Sequence, residues 1–278
     1  MFDITPESLW DVISLLRQND KERRVRNILV HCIMNYVAAN DCANALLAVG
    51  AKPVMADCPE ESAEITARAG ALVLNMGTFS EERGRAMLLS GKAANKAMIP
   101  VILDPVGLHA SGLRQKWFLR FMKEINISAV KGNANEITAA VGLEEIAGVP
   151  FSGDSPFEAY LVKKAAAKLG CAVLLTGGED HISDGRTVLR IENGTPHLAA
   201  VTGTGCMTGA LIGAFSLAVG GGMLACAAAV SLMDICGETA SENFRGTGTF
   251  RTELIDGLSQ ITREQFLSRV KIREIAEG

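Results

Sequence analysis

Short apolar runs alternate with longer amphipathic stretches along most of the chain. The runs at 27–30, 52–55, 71–75, 101–103, 128–131 and 172–176 read as strands. Ala71-Leu72-Val73-Leu74 is wholly apolar, the pattern of a strand covered on both faces of a parallel sheet. Between the runs lie helices with recognisable ends. Thr5-Pro6-Glu7 opens one to about residue 18, with Thr as N-cap and Pro in the first turn. Others are expected at 40–48, stopped by Gly50, from Pro59 behind a capping Asp57, from Ser80 to about 95, at 113–123, at 135–141, and from a capping Ser155 to 169. The order changes late. Stretches 187–192 and 197–201 flank Asn193-Gly194, a hairpin signal that predicts an antiparallel edge. Helices follow, the last opened by the capping box of Thr262 and Gln265. Strand–helix alternation of this kind predicts a doubly wound α/β fold in one domain over residues 1–278. In such folds ligands sit beyond the carboxyl ends of the strands.

The chain turns on Val201-Thr202-Gly203-Thr204-Gly205-Cys206-Met207-Thr208-Gly209. It reads as strand, glycine turn and helix. Gly203 and Gly205 let the backbone approach a ligand, and the first amides of a helix have no internal partner. Such a mouth suits an anion, phosphate above all. Gly203, Thr204, Gly205 and Cys206 are therefore candidates for an anion hole; the alternative is a tight turn that packs a helix on a sheet. No Lys-Ser/Thr follows, so the stretch is not a Walker A loop.

Composition narrows the partners. A formal charge of −4 argues against nucleic acid. Seven scattered cysteines without a CxxC pair suit a reduced, cytoplasmic chain and give no zinc site. The acidic N-terminus lacks an apolar signal core. Residues 201–233 carry no charge, but Gly220-Gly221-Gly222 interrupts them. A buried core segment is expected there rather than a membrane span.

Polar residues fall at five strand ends. Asn75 closes one, Asp104 another in Leu103-Asp104-Pro105, and Lys131-Gly132-Asn133 a third. Thr176-Gly177-Gly178 ends a fourth, and the 202–206 turn a fifth. Taken singly, Asp104 reads as a turn cap and Glu136 as surface charge favoured by a helix dipole; together they suggest a hard divalent cation, since Mg2+ takes one or two carboxylates and bridges phosphate oxygens. Lys131 either neutralises phosphate charge or is a solvated strand end. His31 has no partner at metal-ligand spacing and reads as a structural histidine. Met55 is core or lines an apolar pocket.

Taken together these blocks resemble the hydroxyethylthiazole kinase family, thiamine-salvage enzymes of the ribokinase-like fold. The carriers are Val30-His31-Cys32-Ile33 with Asn35-Tyr36-Val37, Asn40-Asp41-Cys42-Ala43-Asn44, Pro53-Val54-Met55-Ala56-Asp57, Asn75-Met76-Gly77-Thr78, Leu103-Asp104-Pro105-Val106-Gly107, Gly132-Asn133 with Glu136, and Val201 to Cys206. The resemblance implies a three-layer αβα sandwich with a mostly parallel sheet. It implies ATP- and Mg2+-dependent phosphorylation of the alcohol of 4-methyl-5-(2-hydroxyethyl)thiazole by a homotrimer with sites between subunits. It further implies substrate contacts at Met55 and Gly203, with Asn35 and Val37 in the same pocket. Nucleotide contacts are implied at Lys131 and Thr176, and Mg2+ near Asp104 and Glu136. Cys206 stands where related sugar kinases place an Asp base, and it is read as a weak base or as packing.

Three departures stand out. Lys131 replaces the family's usual Arg and loses its planar fork. Leu108-His109-Ala110-Ser111 replaces a small turn, and Arg245-Gly246-Thr247-Gly248-Thr249-Phe250 has Thr where Pro is usual. Rival readings are another ribokinase-like kinase, such as one for hydroxymethylpyrimidine, and a non-catalytic thiazole-binding trimer. A dehydrogenase is opposed by order, because the glycine turn follows Tyr160-x-x-x-Lys164 instead of preceding it.

Overall fold

The computed structural model describes residues 4–18, 25, 27–142 and 157–275. Among the described residues, nine strands form one sheet in the order β2-β1-β3-β4-β5-β6-β7-β8-β9. Strands β1 (Leu29–Ile33), β2 (Lys52–Val54), β3 (Ala71–Asn75), β4 (Val101–Asp104), β5 (Ala129–Asn133) and β6 (Ala172–Thr176) run parallel. Strands β7 (Asp180–Ser183), β8 (Val188–Ile191) and β9 (Ile272–Glu274) continue the sheet antiparallel.

Alternation along the strands divides the core into two apolar layers. Val73 of β3 points to one cluster, with residues of α1 (Pro6–Arg17), α2 (Ala39–Ala48), α8 (Thr204–Val219), α9 (Met223–Ser241), α10 (Thr247–Gln260) and α11 (Arg263–Arg269). Leu72 and Leu74 point to the other, with Met87 of α4 (Glu81–Ala97), Phe118 of α5 (Gly112–Glu124), Ile137 of α6 (Ala134–Val141) and Leu161 of α7 (Phe157–Leu169). Helix α3 (Pro59–Arg68) joins β2 to β3. The result is the doubly wound α/β arrangement that the alternation predicts and the αβα sandwich that the resemblance implies, with an antiparallel edge.

The uncharged stretch divides at Gly220, Gly221 and Gly222, all at positive φ, into α8 and α9. Helix α9 is long and apolar enough to cross a membrane, but 78% of that stretch is buried inside the fold. Helix α8 lies directly on the sheet: a Cβ on Gly213 would stand 2.4 Å from Val73 Cγ2. These are core helices, packed too closely on strands to meet lipid.

Several end signals hold. Thr5 and Thr262 form capping boxes, and the Ser80 side chain accepts the Arg83 amide. Others do not. Residues 197–201 are not a strand, because Pro196–Ala200 is a 3-10 helix behind Thr195. Asn193 makes no hairpin turn. Its side chain donates to Glu238 and to the Arg269 carbonyl and accepts the Lys271 amide, which ties β8 to β9 and steers the chain toward α9. The antiparallel partners of β8 are β7 and β9, each too short or too polar to stand out as an apolar run. Asp57 caps nothing and pairs with Arg83 at 3.0 Å, while Cys58 precedes α3 with no side-chain cap. The cap expected at Ser155 lies outside the described residues.

Candidate active site

The carboxyl ends of β1, β3, β4 and β5 converge under the N-terminus of α8, and buried polar side chains link them. Asn35, just past β1, donates to Asn75 Oδ1 at 2.8 Å, and its own Oδ1 accepts the Ala38 amide. Asn75, closing β3, donates to Asp104 Oδ2 at 2.7 Å. Asp104, closing β4, has its other oxygen 3.6 Å from Lys131 Nζ on β5. Both asparagine amides also point at Cys206 Sγ, each at 3.3 Å. Parallel register puts Asn75 beside Asp104, which is why strand-end residues distant in sequence meet.

This cluster is charged and dry. Burial pushes the Asp104 carboxyl up to about 6, with Lys131 opposing and Glu136 adding to the rise. Lys131 is also buried, which disfavours its charge, but Asp104, then Cys206, Glu136 and Asp180, hold its pKa above the usual lysine value. Lys131 is therefore a cation at neutral pH and not a solvated strand end. The Cys206 thiol is pushed up by burial and by Asp104, against Lys131 and the two asparagines. The lowering expected from a helix N-terminus is outweighed.

Glu136 closes a capping box on α6: Oε2 accepts the Asn133 amide at 2.9 Å and Oε1 the Gly107 amide at 3.0 Å. Each of its oxygens keeps a further lone pair. Asp104 Oδ1 is buried, and the Lys131 ammonium 3.6 Å away is too distant for a full hydrogen bond. A carboxylate oxygen held only by that long ion pair, beside a second carboxylate, fits the small number of protein ligands that Mg2+ takes.

Gly203 caps α8 at φ +94, and no side chain caps the helix. Its turn abuts the β1–α2 connection, for a Cβ there would lie 3.2 Å from Ala38 Cβ. Gly205 has a sharper reason to be glycine: a Cβ would stand 2.9 Å from Lys131 Nζ. One turn on, Gly209 faces Asp104 Oδ2 at 3.4 Å by the same construction. The first turns of α8 thus rest on the lysine–aspartate pair. It does not follow a strand, as the 197–201 run suggested, but a 3-10 helix.

Beside this mouth lies a cavity of about 540 Å3, bounded by Thr176, Gly177, Thr204, Gly205, Leu198 and Asp234 among others. The fold therefore brings Asn35, Asp104, Lys131, Cys206 and the 203–205 turn together, with Thr176 on the adjoining cavity. Met55 and Val37 lie outside the polar network. Met55 is half-buried against the α8 layer, and Val37 is 57% exposed next to Tyr36 at 75%. His31 is structural: Nε2 lies 2.7 Å from the Ala56 carbonyl and Nδ1 2.7 Å from Thr66 Oγ1. Sequence reasoning noticed Asn75 as a strand end but not as the hub. It missed Asp180 and Asp234. The signal for Asp234 was present, as the first Asp, Glu, Lys or Arg after the forty-one residues that follow Glu192.

A mostly parallel sheet flanked by helices, with an antiparallel edge, is the fold of the ribokinase-like proteins. A ribokinase-like superfamily protein from Enterococcus faecalis V583 shares the fold, with TM-score 0.63 at 14% identity over 88% of this chain and 93% of its own. The family model for the "Hydroxyethylthiazole kinase family" matches residues 21–264, and the chain belongs to that family. A hydroxyethylthiazole kinase of Ruminiclostridium cellulolyticum is 44% identical over 260 residues, covering 91% of this chain and 95% of the relative. One from Methanocorpusculum labreanum is 39% identical over 252 residues, 90% and 95% of the two chains. The solved hydroxyethylthiazole kinase structure from Pyrococcus horikoshii OT3 superposes with TM-score 0.84 at 36% identity, over 96% of this chain and 100% of that one.

Proposed function

We propose that this kinase transfers the γ-phosphoryl group of ATP to the primary hydroxyl of 4-methyl-5-(2-hydroxyethyl)thiazole. The observation that carries the reading is the uncapped mouth of α8 resting on Lys131 and Asp104 at the edge of the 540 Å3 cavity. Phosphoryl transfer asks for positioning and charge neutralisation more than for covalent chemistry. The amides of Gly203 to Cys206 receive the oxygens of the transferring group, an electrostatic role. Lys131 holds the phosphate chain from the β5 side, and Thr176 binds nucleotide in the cavity. Asp104 and Glu136 would hold Mg2+, which would supply neutralisation of phosphate charge.

The thiazole lies toward Asn35, Val37, Met55 and Gly203, with its hydroxyl near Cys206. Cys206 acts as a weak base. Only its minor thiolate form can take the proton, and burial with Asp104 keeps that form scarce. A loose transition state makes little demand for early deprotonation, so a scarce base suffices. The exposed Tyr36 and Val37 beside the pocket support a homotrimer in which a neighbouring subunit covers the thiazole. Seven free thiols suit a cytoplasmic setting.

The test is an ADP-release assay with Mg-ATP, offering hydroxyethylthiazole and hydroxymethylpyrimidine side by side. ADP should form with the thiazole. Release with the pyrimidine alone would move the enzyme to another ribokinase-like reaction. Thiazole binding without ADP would make it a binding protein.

A further inference from the structure

Two blocks that stand out in the sequence, Asn40-Asp41-Cys42-Ala43-Asn44 and the 245–250 stretch, have no part in the reaction above. The fold brings them together behind the glycine turn. Asp41 lies in the first turn of α2 and is buried. Arg251 lies in the first turns of α10, 210 residues away. Arg251 Nε donates to Asp41 Oδ1 at 2.9 Å and to Oδ2 at 3.0 Å, and Nη2 donates to Oδ1 as well. Both carboxylate oxygens are thus held by one guanidinium fork. The neighbouring Phe250 fixes its place. That side chain is fully buried, with its ring 5.8 Å from that of His197 in the 3-10 helix that leads into the turn.

The pair sits where a charge matters. A Cβ on Gly203 would lie 3.9 Å from Asp41 Oδ2 and 3.2 Å from Ala38 Cβ, so the start of α2 is the seat on which the glycine turn rests. Helix α8 begins there with no side-chain cap. An unpaired carboxylate in this seat would be a fixed negative charge beside the one place that is to receive a phosphate, and it would repel that phosphate. Partial burial of Asp41 weakens the screening that water would otherwise give. Arg251 answers the charge at its source, holding both oxygens from the far side of α2.

We propose that Arg251 is a positioning residue of the phosphate site: acting through Asp41, it neutralises the charge behind Gly203 and so lets the turn take an anion. This rests on reading the turn as the phosphate site. The competing role is a clamp that only pins α10 to α2. A clamp would act on the whole β1–α2 connection, Asn35 and Val37 included. The two roles differ in what they do for an uncharged ligand. Neutralisation favours Mg-ATP, which is anionic, and is indifferent to hydroxyethylthiazole, which is not. A clamp serves both.

The experiment is calorimetric titration of the full chain with Mg-ATP and, separately, with hydroxyethylthiazole, beside thermal melts of the same samples. Arg251→Met keeps most of the stem and loses the charge. It should bind Mg-ATP about tenfold more weakly than wild type, and hydroxyethylthiazole within about twofold. Arg251→Lys, which keeps the charge, should stay within about threefold of wild type for both. Asp41→Asn combined with Arg251→Met removes both charges and should regain most of the lost ATP affinity. Wild-type ATP affinity in Arg251→Met overturns the proposal. So does a loss that persists undiminished in the double variant, or one that falls equally on the thiazole, since either marks a clamp. If Arg251→Met does not fold, Arg251→Gln takes its place in the same comparison. The kinase reading stands or falls on wild type: thiazole binding with neither ATP binding nor ADP release removes that reading. Wild type that binds both ligands, with no effect at Arg251, removes the role of Arg251 alone.

Discussion

Gly205→Ala isolates the packing of α8 on Lys131. Gly205 has no positive φ, so alanine suits its backbone. The new methyl group would stand 2.9 Å from Lys131 Nζ, and ordinary contact begins at 3.4 Å, so the ammonium must recede by about 0.5 Å. Stability should hardly change. Stretching the 3.6 Å separation from Asp104 by that amount costs roughly 0.5 kcal/mol at an effective dielectric of about 20. Replacing a helical glycine by alanine returns up to about 1 kcal/mol. Activity should change much more, since a misplacement of about 1 Å at a reacting centre costs on the order of a hundredfold. We expect kcat/KM to fall about tenfold. Gly209→Ala, whose methyl meets Asp104 Oδ2 at an ordinary 3.4 Å, should lose far less. The assay is ADP release against ATP concentration, with thermal melts of the same samples. A Gly205→Ala protein with wild-type melting temperature and wild-type kcat/KM would refute the placement of Lys131 against the phosphates.

Three further outcomes follow from the same geometry. Asp104→Asn mimics the neutral acid. Because the folded pKa is raised from 3.8 to about 6, the stability Asp104 contributes is full below its usual range and lost as pH rises through about 6. The variant should therefore gain on wild type by up to about 3 kcal/mol at neutral pH in denaturant melts while losing activity, and a pH-independent gap would contradict the burial argument. Cys206→Ala should lower kcat at saturating substrates and flatten the rise of wild-type turnover toward alkaline pH; unchanged kcat removes the base role. Gly213→Ala forces a methyl group to 2.4 Å from Val73 Cγ2 and should cost about 1–3 kcal/mol, partly recovered with Val73→Ala. Urea titrations of the two single variants and the double variant measure that recovery, and additive losses would count against direct packing.

The order of elements, the parallel strands and most helix starts were legible from residue pattern. Each depends on neighbours in sequence: an apolar run such as Ala71–Asn75, or a cap such as Thr5 or Ser80. The polar strand ends were legible for the same reason, and Asp104, Lys131, Thr176 and the 203–206 turn stood out one by one. What pattern could not show was contact between them. That Asn75 links Asn35 to Asp104, and that Gly205 is glycine because Lys131 lies beneath it, depends on strand register and on the seat of α8. Asn193-Gly194 misled because a local turn preference lost to long-range bonds with Glu238, Arg269 and Lys271. Protonation was likewise decided by the tertiary structure. A helix N-terminus lowers a thiol's pKa when considered alone, but burial beside Asp104 raises that of Cys206, and no pattern in the chain reports how dry a site will be.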